Sequence, residues 1–156
     1  MSDLHIAQTV LTAGTWTSAD ATCALTYDAR FFRRKKLTTT AGWSLIADFE
    51  HTLSLNHGDA LALADGRVVE IIAAPEALLA VTGDLTRLAW HIGNRHTPCQ
   101  IEAKRLLIQN DPVIGHMLEH LGAQIAEVTE PFTPEGGAYG HGRTHSHEHG
   151  HTAHAH

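Results

Sequence analysis

The chain has 156 residues, enough for one ordinary domain or two small ones, and its 43% hydrophobic content is typical of a globular protein. A formal charge of −6 argues against a general nucleic-acid binder, which would usually be basic. The longest apolar stretch, residues 71–81, is too short to span a bilayer, no signal-peptide pattern opens the chain, and two cysteines make no disulfide framework. We therefore expect a cytoplasmic protein that binds neither nucleic acid nor membrane.

The first seventy residues carry the pattern of short β-strands separated by turns. Asp65-Gly66 stands between the apolar segments 61–63 and 68–69, which predicts a β-hairpin. We predict an all-β domain over residues 1–73. Other runs rich in β-branched and aromatic residues, typical of strands, lie at 6–11, 23–27 and 44–49.

Beyond this domain the pattern changes to alternating strands and helices. Asp84 and Asp111 are each placed to cap a helix N-terminus, and Gly93 and Gly122 are placed to end the two helices. The order β-α-β-β-α-β predicts a ferredoxin-like domain over residues 74–135, and thus an α+β fold for the chain. The predicted strands of this domain are 77–81, 100–102, 105–108 and 124–128.

Histidine is the outlying residue type, with 14 copies against 11 Lys and Arg together, and seven of the 14 fall in the last sixteen residues. Residues 136–156 hold too few apolar side chains to order themselves, so we predict a disordered His-rich tail. Neutral imidazoles bind Zn, Cu, Fe and Ni, so the tail indicates metal binding without naming the metal. An expression tag is the alternative, but tags are usually unbroken His runs, whereas residues such as Arg143 and Glu148 interrupt this one.

Three further histidines are candidate ligands within the second domain. His96 lies in a polar, turn-like stretch with Cys99 three residues on; a surface-loop histidine and an internally packed cysteine are the alternatives. His116 and His120 are four residues apart and share one helix face, as in helical zinc sites. We see no third ligand nearby, and Glu119 is expected to point elsewhere, so two half-exposed histidines are the plainer interpretation.

A basic cluster, residues 33–36, follows two phenylalanines. Basic and aromatic runs can bind RNA, but in an acidic chain a solvated strand edge or a docking patch for an acidic partner is the better interpretation. The sequence has no nucleophile elbow, no phosphate-binding glycine loop and no HExxH motif. We therefore expect that the protein is not an enzyme.

Three motifs occur in a fixed order before the His-rich end: WHIGNRH at 90–96, DPVIGHMLEHLG at 111–122 and PFTPEGGAY at 131–139. Together they resemble signatures of the UreE urease accessory proteins, the nickel metallochaperones of urease maturation. The resemblance covers nearly the whole chain. It implies that the protein delivers Ni²⁺ to apo-urease, with the GTP-hydrolysing urease accessory protein as docking partner, and that the N-terminal domain resembles a peptide-binding module.

The resemblance also implies a homodimer joined through the ferredoxin-like domains, with His96 as metal ligand. Two His96 side chains could share one ion at the twofold axis. Tail histidines would complete its ligands, and His141, His145 and His147 stand nearest the fold. Some relatives carry extra histidines before the second helix; here 109–110 read Gln-Asn, so that secondary site is not expected. Zn²⁺ or Cu²⁺ would also be able to bind in vitro.

Two functions are compatible with these features. A nickel carrier would capture ions with its tail, define one at His96 and release it, and its affinity should fall as pH drops through about 6 to 6.5 because imidazole must be deprotonated. A histidine-rich storage or buffering protein would hold many ions on the tail without hand-over.

Overall fold

A computed structural model describes residues 5–136. The chain divides into two compact units, Met1–Ala74 and Pro75–His156, called here the N-terminal and C-terminal units. The predicted tail with its seven histidines therefore lies outside the described residues, apart from Gly136. Among the described residues, no helix is long and apolar enough to cross a membrane.

The N-terminal unit is mostly β, as predicted. Its six strands form one sheet in the order β2-β6-β5-β1-β4-β3. The pairs β1–β4 and β2–β6 are parallel, and the other neighbouring pairs are antiparallel. A short 3-10 helix, Asp28–Arg30, precedes the third strand. The strands are β1 His5–Leu11, β2 Ala21–Leu25, β3 Phe31–Thr38, β4 Ser44–Ser54, β5 Ala60–Leu63 and β6 Val68–Ala73.

The predicted hairpin joins β5 and β6. Leu61 pairs with Val69 across the antiparallel ladder. The turn needs a left-handed residue, and Gly66 supplies it with φ 94° while its N–H donates to the Leu63 carbonyl over 2.9 Å. An Asp-Gly pair between alternating apolar residues was thus a sufficient signal, because glycine adopts positive φ without a steric cost.

The basic cluster lies on β3, at the edge of the sheet. Phe32 and Leu37 are buried, whereas Arg33, Arg34 and Lys36 are exposed. The two buried positions are five residues apart, which strict alternation would forbid; a register shift between Phe32 and Arg34 resolves this. The cluster is therefore a solvated strand edge, one of the interpretations that the sequence favoured.

The C-terminal unit mixes helices and strands in the predicted order, β-α-β-β-α-β. Its strands form an antiparallel sheet of order β10-β7-β9-β8. The main departure from the predicted boundaries is the last strand, which extends to Pro131. The elements are β7 Pro75–Thr82, α1 Leu85–Asn94, β8 Gln100–Ile101, β9 Leu106–Gln109, α2 Pro112–His120 and β10 Gln124–Pro131.

Both helices pack their apolar stripes on this sheet. Helix α2 approaches β7 closely at Gly115, where an added Cβ would lie 2.9 Å from Leu79 Cδ1. This packing fixes both helices, so it determines where each helix ends and which side chains it exposes there. The shared core contains Leu88 and Ile92 from α1, Ile114 and Leu118 from α2, and Leu79, Val81, Leu106 and Ile108 from the sheet.

The predicted helix starts are confirmed by their caps. The Asp84 carboxylate accepts a hydrogen bond from Arg87 N at 3.3 Å, and the Asp111 carboxylate accepts from Val113 N at 3.0 Å and Ile114 N at 3.3 Å. Each cap satisfies backbone donors that the first helical turn leaves unpaired. At the other end of α2, Gly122 has φ 94°, as expected of a glycine that follows a helix.

Candidate metal-binding site

The prediction that Gly93 ends the first helix is wrong. Helix α1 continues to Asn94, and the left-handed residue is His96, with φ 57°. The hydrogen bonds that close the helix explain this: His96 N donates to the Gly93 carbonyl at 2.9 Å, and Thr97 N donates to Ile92 O at 3.3 Å. His96 therefore occupies the position at which glycine is usually found.

Among residues 5–136, His96 is the one non-glycine residue with positive φ. Histidine adopts this region more readily than most residues, yet such a conformation costs on the order of 1 kcal/mol and is concentrated at functional sites. The residue is exposed, immediately beyond a packed helix. The fold thus holds the Cα of this imidazole at a fixed point of the surface.

The residues around His96 come from both helices. Arg95 Nε contacts Met117 Sδ, which links the end of α1 to α2. On α1, Trp90 is 64% exposed and packs edge-to-face against His91, with ring centroids 5.0 Å apart. The sequence interpretation missed Trp90, although a signal existed: two positions after Leu88, it lies well off the apolar stripe of the helix.

Cys99 has surroundings unlike those of His96. Its side chain is half-buried and packs against the core of the C-terminal unit. Burial raises the pKa of the Cys99 thiol to about 11, and the nearby Glu135 carboxylate adds to the shift. Because the metal ligand is the thiolate, a thiol that stays protonated at neutral pH is a poor one. This favours the internal-packing interpretation of Cys99.

His116 and His120 share one face of α2, as their spacing predicted. Both are exposed, and their Nε2 atoms lie 3.3 Å apart, with the rings nearly perpendicular at 88°. Glu119 does not point elsewhere, as had been expected. Its Oε1 lies 3.9 Å from His116 Nδ1, because residues three apart are also neighbours on a helix surface.

The described histidines of the N-terminal unit include two that are engaged in its own structure. The His5 ring contacts the Arg67 guanidinium, with 2.7 Å between Nδ1 and the nearest guanidinium nitrogen, and packs edge-to-face on Trp43. His57 Nδ1 accepts a hydrogen bond from Ala73 N at 3.0 Å. These imidazoles serve the sheet and its turns.

Across residues 5–136, no three His, Cys, Asp or Glu side chains are grouped to hold a metal ion. Within that part of the chain, the C-terminal unit offers a single exposed imidazole at His96 and a pair at His116 and His120. The predicted tail ligands His141, His145 and His147 lie outside the described residues.

Comparison with known proteins identifies the family. The family model described as UreE urease accessory protein, N-terminal domain, matches residues 4–74, and that of the C-terminal domain matches residues 67–156. The chain belongs to the UreE family. This confirms the resemblance inferred from the sequence motifs. The family has two domains, of which the first is mostly β here and the second mixes helices and strands.

Relatives named urease accessory protein UreE are similar along almost the whole chain. The protein from Ruegeria pomeroyi is 61% identical, over 94% of this chain and 99% of the relative. That from Cereibacter sphaeroides is 56% identical, over 96% of this chain and 83% of the relative. That from Rhodobacter capsulatus is 53% identical, over 96% of each chain. His96, His116 and His120 all fall within the C-terminal UreE match.

Proposed function

We propose that this UreE protein is a nickel metallochaperone that carries Ni²⁺ to apo-urease during assembly of its active site. It acts in the cytoplasm and catalyses no reaction. The observation that carries the proposal is His96, an exposed imidazole held in a left-handed backbone conformation at the end of α1. Family membership supplies the connection with urease.

A carrier must bind its ion and also release it. Imidazole nitrogen is a good ligand for Ni²⁺. One well-positioned imidazole defines where the ion sits, whereas ligands supplied by other chains or by the tail can be exchanged one at a time. His141, His145 and His147 are the tail residues that we propose as additional ligands, because they are closest in sequence to the fold.

We infer that the C-terminal unit is a ferredoxin-like domain and that it forms the homodimer. The sheet order β10-β7-β9-β8 places the first and third strands of the unit at the centre, as the split βαβ arrangement requires. Trp90, 64% exposed on the helix that leads to His96, is an apolar side chain that a second subunit would cover. Around a twofold axis, two His96 residues would then face one ion.

The N-terminal unit offers a surface for partners. Its edge strand β3 exposes Arg33, Arg34 and Lys36. An open strand edge has unpaired backbone groups, and its cations complement an acidic segment. We propose that this peptide-binding-like unit contributes to docking on the urease accessory GTPase or the apo-urease complex.

Metal storage is the alternative function. Seven of the 14 histidines lie in the last sixteen residues, and such a tail is able to bind several ions with no ordered site. Storage would make His96 irrelevant and the tail sufficient. The two functions therefore differ in which part of the chain binding depends on.

Nickel calorimetry on the chain cut after Gly140 separates them. The carrier function predicts that the truncated protein binds a defined number of ions per dimer and that His96→Ala removes this binding. His51→Ala is the matched control, because His51 is an exposed histidine on β4 of the other unit. If truncation alone abolishes binding, the carrier proposal is overturned in favour of storage.

A further inference from the structure

His116 and His120 bring two imidazole nitrogens together near the end of α2. Both residues are exposed, and their Nε2 atoms are 3.3 Å apart. Two neutral imidazoles can sit at this distance only if one Nε2 carries a proton and the other accepts it. At least one lone pair is therefore already directed into the space between the rings.

The separation of these nitrogens fits one kind of metal geometry. Two ligands about 2.0–2.1 Å from a tetrahedral zinc ion are about 3.3–3.4 Å apart, whereas ligands at right angles would be about 2.9 Å apart. The observed 3.3 Å matches the tetrahedral value. We propose that His116 and His120 form a second metal site, separate from His96, that takes Zn²⁺ as a two-histidine chelate completed by water.

The surroundings of the pair favour a bound cation. Both histidines lie in the last turn and a half of α2, where unpaired carbonyls give the helix end a partial negative charge. Glu119 Oε1 lies 3.9 Å from His116 Nδ1, on the ring nitrogen opposite the chelating one. A carboxylate there favours the tautomer with the proton on Nδ1, which leaves Nε2 free to bind zinc.

Binding at this site needs only a change of tautomer. The imidazole that carries its proton on Nε2 in the metal-free pair must carry it on Nδ1 when zinc is bound. Both rings remain neutral, and zinc replaces the shared hydrogen bond. The site does not depend on His96 or on transfer to urease, so it stands or fails independently of the proposed nickel function.

A zinc titration of the full-length chain tests the proposal. The background carries His96→Ala and asparagine in place of the seven histidines after residue 140, so that the other proposed ligands are removed. Zn²⁺ affinity is measured by competition with a chromophoric chelator. We expect one zinc ion per chain, and His116→Ala or His120→Ala should each weaken binding on the order of tenfold or more, because each leaves a one-point attachment.

The double substitution distinguishes a chelate from two separate sites. In a chelate, His116→Ala with His120→Ala should cost little more than either change alone. His51→Ala is the control for loss of a lone exposed histidine, and circular dichroism verifies that each variant is folded. Unchanged zinc affinity in the single variants, or losses that merely halve the number of bound ions, would overturn the proposal.

Cobalt provides a second readout that tests geometry rather than affinity. Co²⁺ in a tetrahedral site absorbs visible light far more strongly than octahedral Co²⁺. We expect the intense spectrum in the background variant and its loss on His120→Ala. A weak, octahedral-type spectrum that ignores both histidines would contradict the tetrahedral chelate.

Discussion

The two units of this UreE protein use histidine in different ways. In the N-terminal unit, His5 contacts Arg67 and His57 accepts a backbone hydrogen bond, so both imidazoles stabilise the fold. In the C-terminal unit, His96 and the pair His116–His120 are exposed at the ends of helices. The neighbours of an imidazole, rather than the number of histidines, therefore determine whether it is available to a metal.

Secondary structure explains much of this difference. A helix places residues four apart on the same side, so it brings two imidazoles together within one element. Its C-terminal end also carries a partial negative charge that favours cations. A strand sends successive side chains to opposite faces, and its backbone pairs with neighbouring strands. The metal-binding positions that we propose within the described fold are accordingly all at helix ends.

The largest effect is expected at Leu118. This side chain is fully buried between α2 and the sheet. Leu118→Ala should lower the free energy of unfolding by about 3 kcal/mol, since it removes apolar contacts and leaves a cavity. It should also weaken zinc binding at His116 and His120, because both are carried by α2. Urea unfolding and the zinc titration measure the two effects.

Leu118→Met serves as the control, as it keeps the volume and should cost less than about 1.5 kcal/mol. If Leu118→Ala lost stability but kept full zinc affinity, the packed position of α2 would not be what holds the two imidazoles in place.

Arg30 provides the corresponding test in the N-terminal unit. It is only 2% exposed, and it donates to the carbonyls of Leu55 at 3.2 Å and Leu25 at 2.9 Å. Arg30→Met should cost about 2 kcal/mol, because the Leu55 carbonyl loses this buried donor, whereas Leu25 O still accepts from Ala74 N. Denaturant unfolding measures the loss.

Nickel and zinc affinities should stay unchanged in Arg30→Met at a temperature where the protein is folded. Arg30→Lys keeps the charge but not the planar fork of donors, so its stability should lie between those of the Met variant and the parent. A drop in metal affinity in folded Arg30→Met protein would break the division of labour between the units.

Local signals in the sequence predicted much of this fold. Asp65-Gly66 marked the hairpin, Asp84 and Asp111 marked the helix starts, and Gly122 marked the end of α2. Each of these signals acts within four or five residues, because a cap or a turn is satisfied by nearby backbone groups. The element order of the C-terminal unit followed from them.

Features that depend on distant contacts were not predictable in this way. Buried Arg30 is held by the Leu55 carbonyl, 25 residues away. Gly93 and His96 were both acceptable helix ends, and the hydrogen bonds back to Ile92 and Gly93 decided for the later one. For His116 and His120, the spacing indicated a shared face, but the 3.3 Å between their nitrogens depends on side-chain rotamers.

His57 tests the structural use of histidine directly. Its Nδ1 accepts from Ala73 N at 3.0 Å. His57→Ala should cost on the order of 1 kcal/mol in stability, because the backbone N–H loses its partner. Thermal unfolding measures this, with His51→Ala as a control expected to have less effect. Metal affinity should not change in either variant; a clear loss of nickel or zinc binding in His57→Ala would show that the N-terminal unit also supplies ligands.

The smallest effect is expected at an ion pair of the C-terminal unit. Arg105 donates to both carboxylate oxygens of Glu130, with N–O distances of 3.0 and 2.6 Å. These hydrogen bonds hold the pKa of Glu130 below its usual value of 4.5. Since the folded-state pKa is the lower one, the pair stabilises the fold above the unfolded-state pKa. That contribution is lost as pH falls through the lowered folded-state pKa.

Glu130→Gln should therefore melt at a slightly lower temperature than the parent near neutral pH, with the difference shrinking as the pH falls below about 4. Added salt should shrink it too, because the pair lies at the surface and is screened. Melting temperatures of both proteins between about pH 3 and 7 test this. A difference that stays constant with pH would mean that the substitution disturbs packing instead. Because the pair contains no imidazole, zinc affinity at neutral pH should be equal in both proteins, which would place this unit's structural ion pair apart from its metal-binding histidines.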